Sequence, residues 1–184
     1  AQRPDGVGLI FDQQMVGSYW EGDPAPKPNT GFAPPIAASP CSFQVRMTID
    51  HLNSFVEGIE PEARPKGTIS FDNLAGQGPG TYTVDESASR FNYLRVNPAT
   101  EEAEMRYHIE FSTNAGRRFT LDGTKYMQRD GRAGPQIIRQ LLEDYTTLYC
   151  QITERLAGGA TAKIGHAYLK FRTFEDLAAI GNLT

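Results

Sequence analysis

Residues 103–153, AEMRYHIEFSTNAGRRFTLDGTKYMQRDGRAGPQIIRQLLEDYTTLYCQIT, decide the fold. Met105, Tyr107, Ile109 and Phe111 alternate with Arg106, His108, Glu110 and Ser112 as far as an Asn114-Ala115-Gly116 turn. Phe119, Leu121 and Gly123 resume the alternation after it, and a segment rich in Thr and Tyr follows at Tyr145–Ile152. A period of two sends successive side chains to opposite faces, and a short turn between two such runs closes a hairpin. The stretch therefore predicts antiparallel sheet. It does not fix the chemistry.

The same alternation extends in both directions. Phe43, Val45, Met47 and Ile49 face one way while Gln44, Arg46 and Thr48 face the other. Further strands are expected at Gly8–Trp20 (with an imperfect register), Lys66–Phe71, Thr81–Val84, Arg90–Val96 and Ile164–Phe171. Residues 73–80, NLAGQGPG, read as a loop. Three short helices are expected: His51–Glu57 capped by Asp50, Gln136–Leu142, and Phe174–Ile180 capped by Thr173 and closed by Gly181. The predicted class is all-β, with about nine strands in an antiparallel barrel of lipocalin or calycin kind or in a sandwich, plus two or three short helices.

A chain of 184 residues and 20.3 kDa suits one globular domain. It divides into a lead-in strand (1–20), a Pro-rich linker (21–40) and the main antiparallel domain (41–184). The linker holds six prolines and is expected to be extended and mobile. A net charge of −4 argues against a nucleic-acid partner, and Arg117-Arg118 reads as a solvated strand start. No apolar run approaches the roughly 20 residues that span a bilayer, so no transmembrane segment is expected. No secretory leader is expected either, and Ala1 reads as a mature or trimmed terminus. Cys41 and Cys150 read as small buried residues, with one disulfide between them left open. The compartment stays open, leaning to the cytoplasm.

Few residues invite catalysis. His51, His108 and His166 lack metal-ligand spacing, so no metal is expected. GQGPG at 76–80 lacks the Lys-Ser/Thr ending and following helix of a phosphate loop, and neither a GxSxG elbow nor a dinucleotide fingerprint occurs. No cofactor and no catalytic residue is assigned. The polar set of most interest is Lys125, Asp130, Asp144, Thr146 and Thr147. Lys125 has the inward parity of Phe119, Leu121 and Gly123, and a desolvated ammonium needs a partner. The expectation is a structural tie from Lys125 to Asp144 or Asp130, supported by the threonines.

Several blocks carry a family resemblance: FDQQMVG (11–17), FQVRMTIDHLNSFVEG (43–58), KGTISF (66–71), MRYHIEF (105–111), FTLDGTKYMQRD (119–130), DYTTLYCQI (144–152) and AYLKFRTFEDL (167–177). Together they resemble an accessory, non-flavin region of bacterial cholesterol-oxidase-like flavoproteins in the glucose–methanol–choline oxidoreductase superfamily. The resemblance implies no flavin-binding or oxidising residue in this chain. It marks Gly17, Gly123, Lys125, Asp130, Asp144, Thr146 and Thr147 as fold positions. Gln13 departs from the acidic residue usual in the first block, and GRAGPQIIRQLLE is inserted before Asp144.

The leading functional expectation is a noncatalytic accessory domain, or a domain that binds a small lipid- or sterol-like molecule or docks on a lipid-metabolising enzyme. The enzymatic alternative is a small barrel isomerase or cyclase using His108 and Glu110, which share a strand face. The third reading is a structural domain that homo-oligomerises through strand edges.

Overall fold

The computed structural model describes residues 8–27, 31–51, 55, 62–97, 102–128 and 147–171. They form nine strands: β1 Leu9–Glu21, β2 Ser39–Ile49, β3 Glu62–Phe71, β4 Gly80–Thr83, β5 Arg90–Asn97, β6 Glu102–Ser112, β7 Arg118–Gln128, β8 Thr147–Arg155 and β9 Thr161–Phe171. The strand order is β2-β1-β9-β8-β7-β6-β5-β3-β4, and β2 also pairs with β3. That last pairing closes eight strands into an antiparallel barrel and leaves β4 as an extra strand on β3. Closure removes the free sheet edges that a sandwich would keep. Of the two predicted architectures, the barrel is the one formed.

Alternation supplies the interior. Met105, Tyr107, Ile109 and Phe111 on β6, and Phe119 and Leu121 on β7, are all buried, as are Phe43, Val45, Met47 and Ile49 on β2. The turn at 113–117 is closed by Gly116 N–H to the Thr113 carbonyl and Thr113 N–H to the Arg117 carbonyl, each 2.9 Å. Beside it, the Arg117 guanidinium makes a two-point ion pair with Glu154, at 2.7 and 2.8 Å, and lies over the Phe119 ring. Arg117 therefore joins the end of β8 to the start of β7.

The hydrogen bond from Arg117 holds the Glu154 carboxyl below its ordinary value. A depressed folded-state value stabilises the protein above the unfolded carboxyl pKa and is lost as pH falls through the folded one. Because Arg117 is partly exposed, Glu154→Gln should cost under about 1 kcal/mol at neutral pH. The difference should vanish in urea melts near pH 3, and a constant difference across that range would refute the pairing.

The predicted helices fall largely outside the described residues. Of the first, Phe55 N–H donates to the His51 carbonyl at 2.9 Å, and the Phe55 side chain is buried. The second and third, at 136–142 and 174–180, lie wholly outside. Among the described residues the other helical elements are the 3-10 turns Leu74–Gly76 and Ala157–Gly159.

The first strand is more regular than its sequence suggests. Its pairing with β2 runs unbroken from Leu9 opposite Ile49 to Tyr19 opposite Ser39. The irregularity lies in what it buries: polar Gln13 faces inward, and Tyr19 and Trp20 are both buried after Gly17. Trp20 donates its indole N–H to the Pro24 carbonyl at 2.8 Å, and Phe32 stacks on Trp20 and packs against Tyr168. The Pro-rich segment thus carries Phe32 against the outside of the barrel, and β2 begins within it at Ser39.

Candidate functional site

The barrel ends differ. At the end where β6 turns into β7, Phe111 stacks on Phe71, Tyr82 and Phe119 at 5.7–5.8 Å between centroids, and Tyr19 meets Phe71 edge-on at 5.3 Å. Buried Leu74, from the loop after β3, belongs to the same core. Aromatic side chains therefore plug this end. At the other end the strands lead into residues 52–54, 56–61, 98–101 and 129–146, outside the described residues. For orientation we call this end the mouth.

Between the two ends lies a polar bar. Gln13 on β1 donates its side-chain N–H to the Tyr107 hydroxyl at 2.9 Å, and the Gln13 carbonyl oxygen lies 3.2 Å from that hydroxyl. In the barrel order β1 and β6 stand four strands apart in either direction, so this bond crosses the full width of the lumen. Both residues are at most 2% exposed. Burial pushes the Tyr107 phenol well above its ordinary value, so the hydroxyl stays protonated.

Lys125 completes the set. It pairs in register with Met105, while Gly123 pairs with Tyr107, which puts Lys125 on the mouth side of the bar. It is fully buried, and its Nζ lies 5.3 Å from the Tyr107 ring centroid, within cation–π range. Desolvation pulls the amine well below the usual lysine range. Gly123 makes room for its neighbours, since a Cβ there would meet the Leu148 side chain at 2.8 Å. On the mouth side the wall is apolar, with Leu9, Phe11, Met47, Ile49, Phe55 and Leu169. Three of the chain's four methionines, Met15, Met47 and Met105, are buried.

Of the expected polar tie, Lys125 is inward as predicted and Thr147 is partly buried at the start of β8. Asp130, Asp144 and Thr146 lie outside the described residues. The sequence alone does not join Gln13 to Tyr107, which are 94 positions apart. The available signal was a polar Gln13 in an otherwise apolar inward series, Leu9, Phe11 and Met15.

Gln13→Leu tests the bar. It would leave the buried Tyr107 hydroxyl without its amide, at a cost of about 1–3 kcal/mol. Tyr107→Phe in the Gln13→Leu background should recover part of that loss. Equal stability of Gln13→Leu and the parent in denaturant melts would show that the bond contributes nothing.

His108 and Glu110 lie on the outside. The His108 side chain is 42% exposed, with Nδ1 2.7 Å from Asp122 and Nε2 3.3 Å from Glu110, which also meets Arg155 at 3.4 Å. These contacts form a polar ladder across β6, β7 and β8. An adjoining shallow surface recess takes Glu110, Asp85, Arg118 and Arg155 into its lining, without His108 or a tyrosine. Cys41 and Cys150 are free buried thiols whose pKa values burial raises, so neither is poised as a thiolate. His166 Nδ1 is 2.8 Å from the Gly22 carbonyl. Among the described residues no three His, Cys, Asp or Glu side chains cluster as metal ligands, and no helix is long and apolar enough to cross a membrane. Comparison with protein-family models, curated proteins and solved structures found no match for this chain.

Proposed function

We propose that this chain is a noncatalytic barrel that binds one small apolar molecule, of lipid or sterol size, in the mouth half of its lumen. The observation that carries the reading is the Gln13–Tyr107–Lys125 set at the centre of an apolar interior. Buried polar groups cost free energy unless satisfied, and a barrel needing only a filled core would do without them. An apolar wall with a few convergent polar groups is the usual make-up of a small-molecule site. An eight-stranded barrel is wide enough either to be filled by its own side chains or to hold one small ligand. Methionine is unbranched and flexible, so Met15, Met47 and Met105 suit a wall that repacks around a guest.

The resemblance to the accessory region of cholesterol-oxidase-like flavoproteins supports a partner enzyme that handles such molecules. The isomerase or cyclase reading through His108 and Glu110 is less well supported, because both lie in a polar ladder on the outer face of the barrel. Titration with a polarity-sensitive neutral apolar dye tests the proposal. Saturable binding at one site, reversed by lipid or sterol competitors, is expected. Absence of saturable binding would refute it.

A further inference from the structure

We propose that an aromatic row on the outside of the barrel binds a Pro-rich peptide in the extended polyproline conformation. This surface is separate from the lumen and does not depend on what the lumen holds.

The row runs across β1, β9, β8 and β7. Trp20 on β1, Phe32 from the Pro-rich segment, Tyr168 on β9, Tyr149 on β8 and Tyr126 on β7 follow one another at 5.6–6.0 Å between ring centroids. Tyr168 stands opposite Tyr149 in register, and the two alternate with buried Ala167, Leu169, Leu148 and Cys150, which places them on the outer face. Outward positions of an antiparallel strand are usually polar, as they are at Lys66, Thr68 and Ser70 on β3 and at Arg106, His108 and Glu110 on β6. Rings on the outer face add nothing to the core. Tyr149 and Tyr168 are partly exposed, and Tyr126 is 45% exposed. Tyrosine and tryptophan favour interfaces, because each joins a large apolar ring to a hydrogen-bonding atom.

The chain itself points to the occupant, because its own Pro-rich segment sits at the β1 end of the row. There the Trp20 indole N–H donates to the Pro24 carbonyl at 2.8 Å, His166 Nδ1 lies 2.8 Å from the Gly22 carbonyl, and Phe32 lies between Trp20 and Tyr168. A polyproline backbone has no internal hydrogen bonds, so its carbonyls are open to donors from the surface it lies on. Aromatic-lined surfaces take such peptides at low entropic cost, since the proline backbone is already extended. Beyond Phe32 the row offers the same combination. Tyr168, Tyr149 and Tyr126 each carry a hydroxyl, and Thr124 adds another opposite Tyr149. The contact made within the chain supplies the mode, and the tyrosines extend it toward β7.

The test uses the full chain and three fluorescein-labelled probes read by polarisation: decaproline, a Gly-Ser peptide of equal length, and decathymidylate. Decaproline is expected to bind saturably, about tenfold or more tighter than the Gly-Ser peptide. Tyr126→Ser should weaken it about fivefold or more while melting like the parent, because the side chain stands half in solvent. Palmitate should leave decaproline bound. Decaproline binding no tighter than the Gly-Ser peptide, or equally to the parent and Tyr126→Ser, would overturn the proposal. Displacement by palmitate would move the peptide off this row, and tighter binding of decathymidylate would assign the row to single-stranded nucleic acid instead; either result also overturns it.

Discussion

Phe111→Ala should lower the melting temperature by roughly 10 °C or more. The ring is 2% exposed and stacks on Phe71, Tyr82 and Phe119, which come from β3, β4 and β7. It is the shared member of the plug, so its removal opens a void against three strands at once. Truncating a buried phenylalanine costs about 3–5 kcal/mol. For a domain of this size each kcal/mol is worth roughly 2–4 °C. Phe111→Leu should recover much of the loss. A Phe111→Ala protein that melts within a few degrees of the parent would show that the plug is loosely packed.

Gly17→Ala should be comparably damaging for a different reason. A Cβ at Gly17 would sit 1.9 Å from the Tyr168 carbonyl oxygen and 3.0 Å from the Leu169 Cα. These are backbone atoms of β9, which pairs with β1 from Met15 opposite Phe171 to Glu21 opposite Gly165. No rotamer change relieves the clash, and the two strands must part at the seam. The cost should reach or exceed the roughly 3 kcal/mol at the upper end of ordinary overpacking. Gly165 and Gly67 use the same device, with Cβ positions 2.0 Å from the Trp20 and Gln44 carbonyl oxygens. Glycines at close strand approaches let a small barrel bend sharply at its corners. Gly116→Ala is the comparison: nothing lies within 4 Å of its Cβ, so only its left-handed φ of 78° is penalised. Its cost should stay near 1 kcal/mol. If Gly17→Ala melted like Gly116→Ala, the close β1–β9 approach would be wrong.

Much of the barrel wall was legible in the sequence because alternation is local. Runs such as 43–49 and 105–111 announce which face is inward before any partner is known. Lys125 could be placed inward by the same parity. Closure was not legible, since a barrel and a sandwich share alternating strands and differ only in non-local pairings such as β2 with β3. For the same reason the polar bar was hidden. Gln13 and Tyr107 are 94 positions apart, and nothing near either residue names the other. The imperfect register read at Gly8–Trp20 has a non-local source, because Trp20 is buried on the outside by Pro24 and Phe32 rather than by the core. His108 and Glu110 read as an outward polar face, and that is where they lie.

The central claim is that the lumen beyond the Gln13–Tyr107 bar is a ligand site and not merely a core. Native mass spectrometry of the full chain, purified without detergent and then equilibrated with palmitate, tests it most directly. The account predicts one adduct per chain, retained under gentle activation and displaced by excess lipid competitor. Spectra showing only the bare chain before and after equilibration would contradict it.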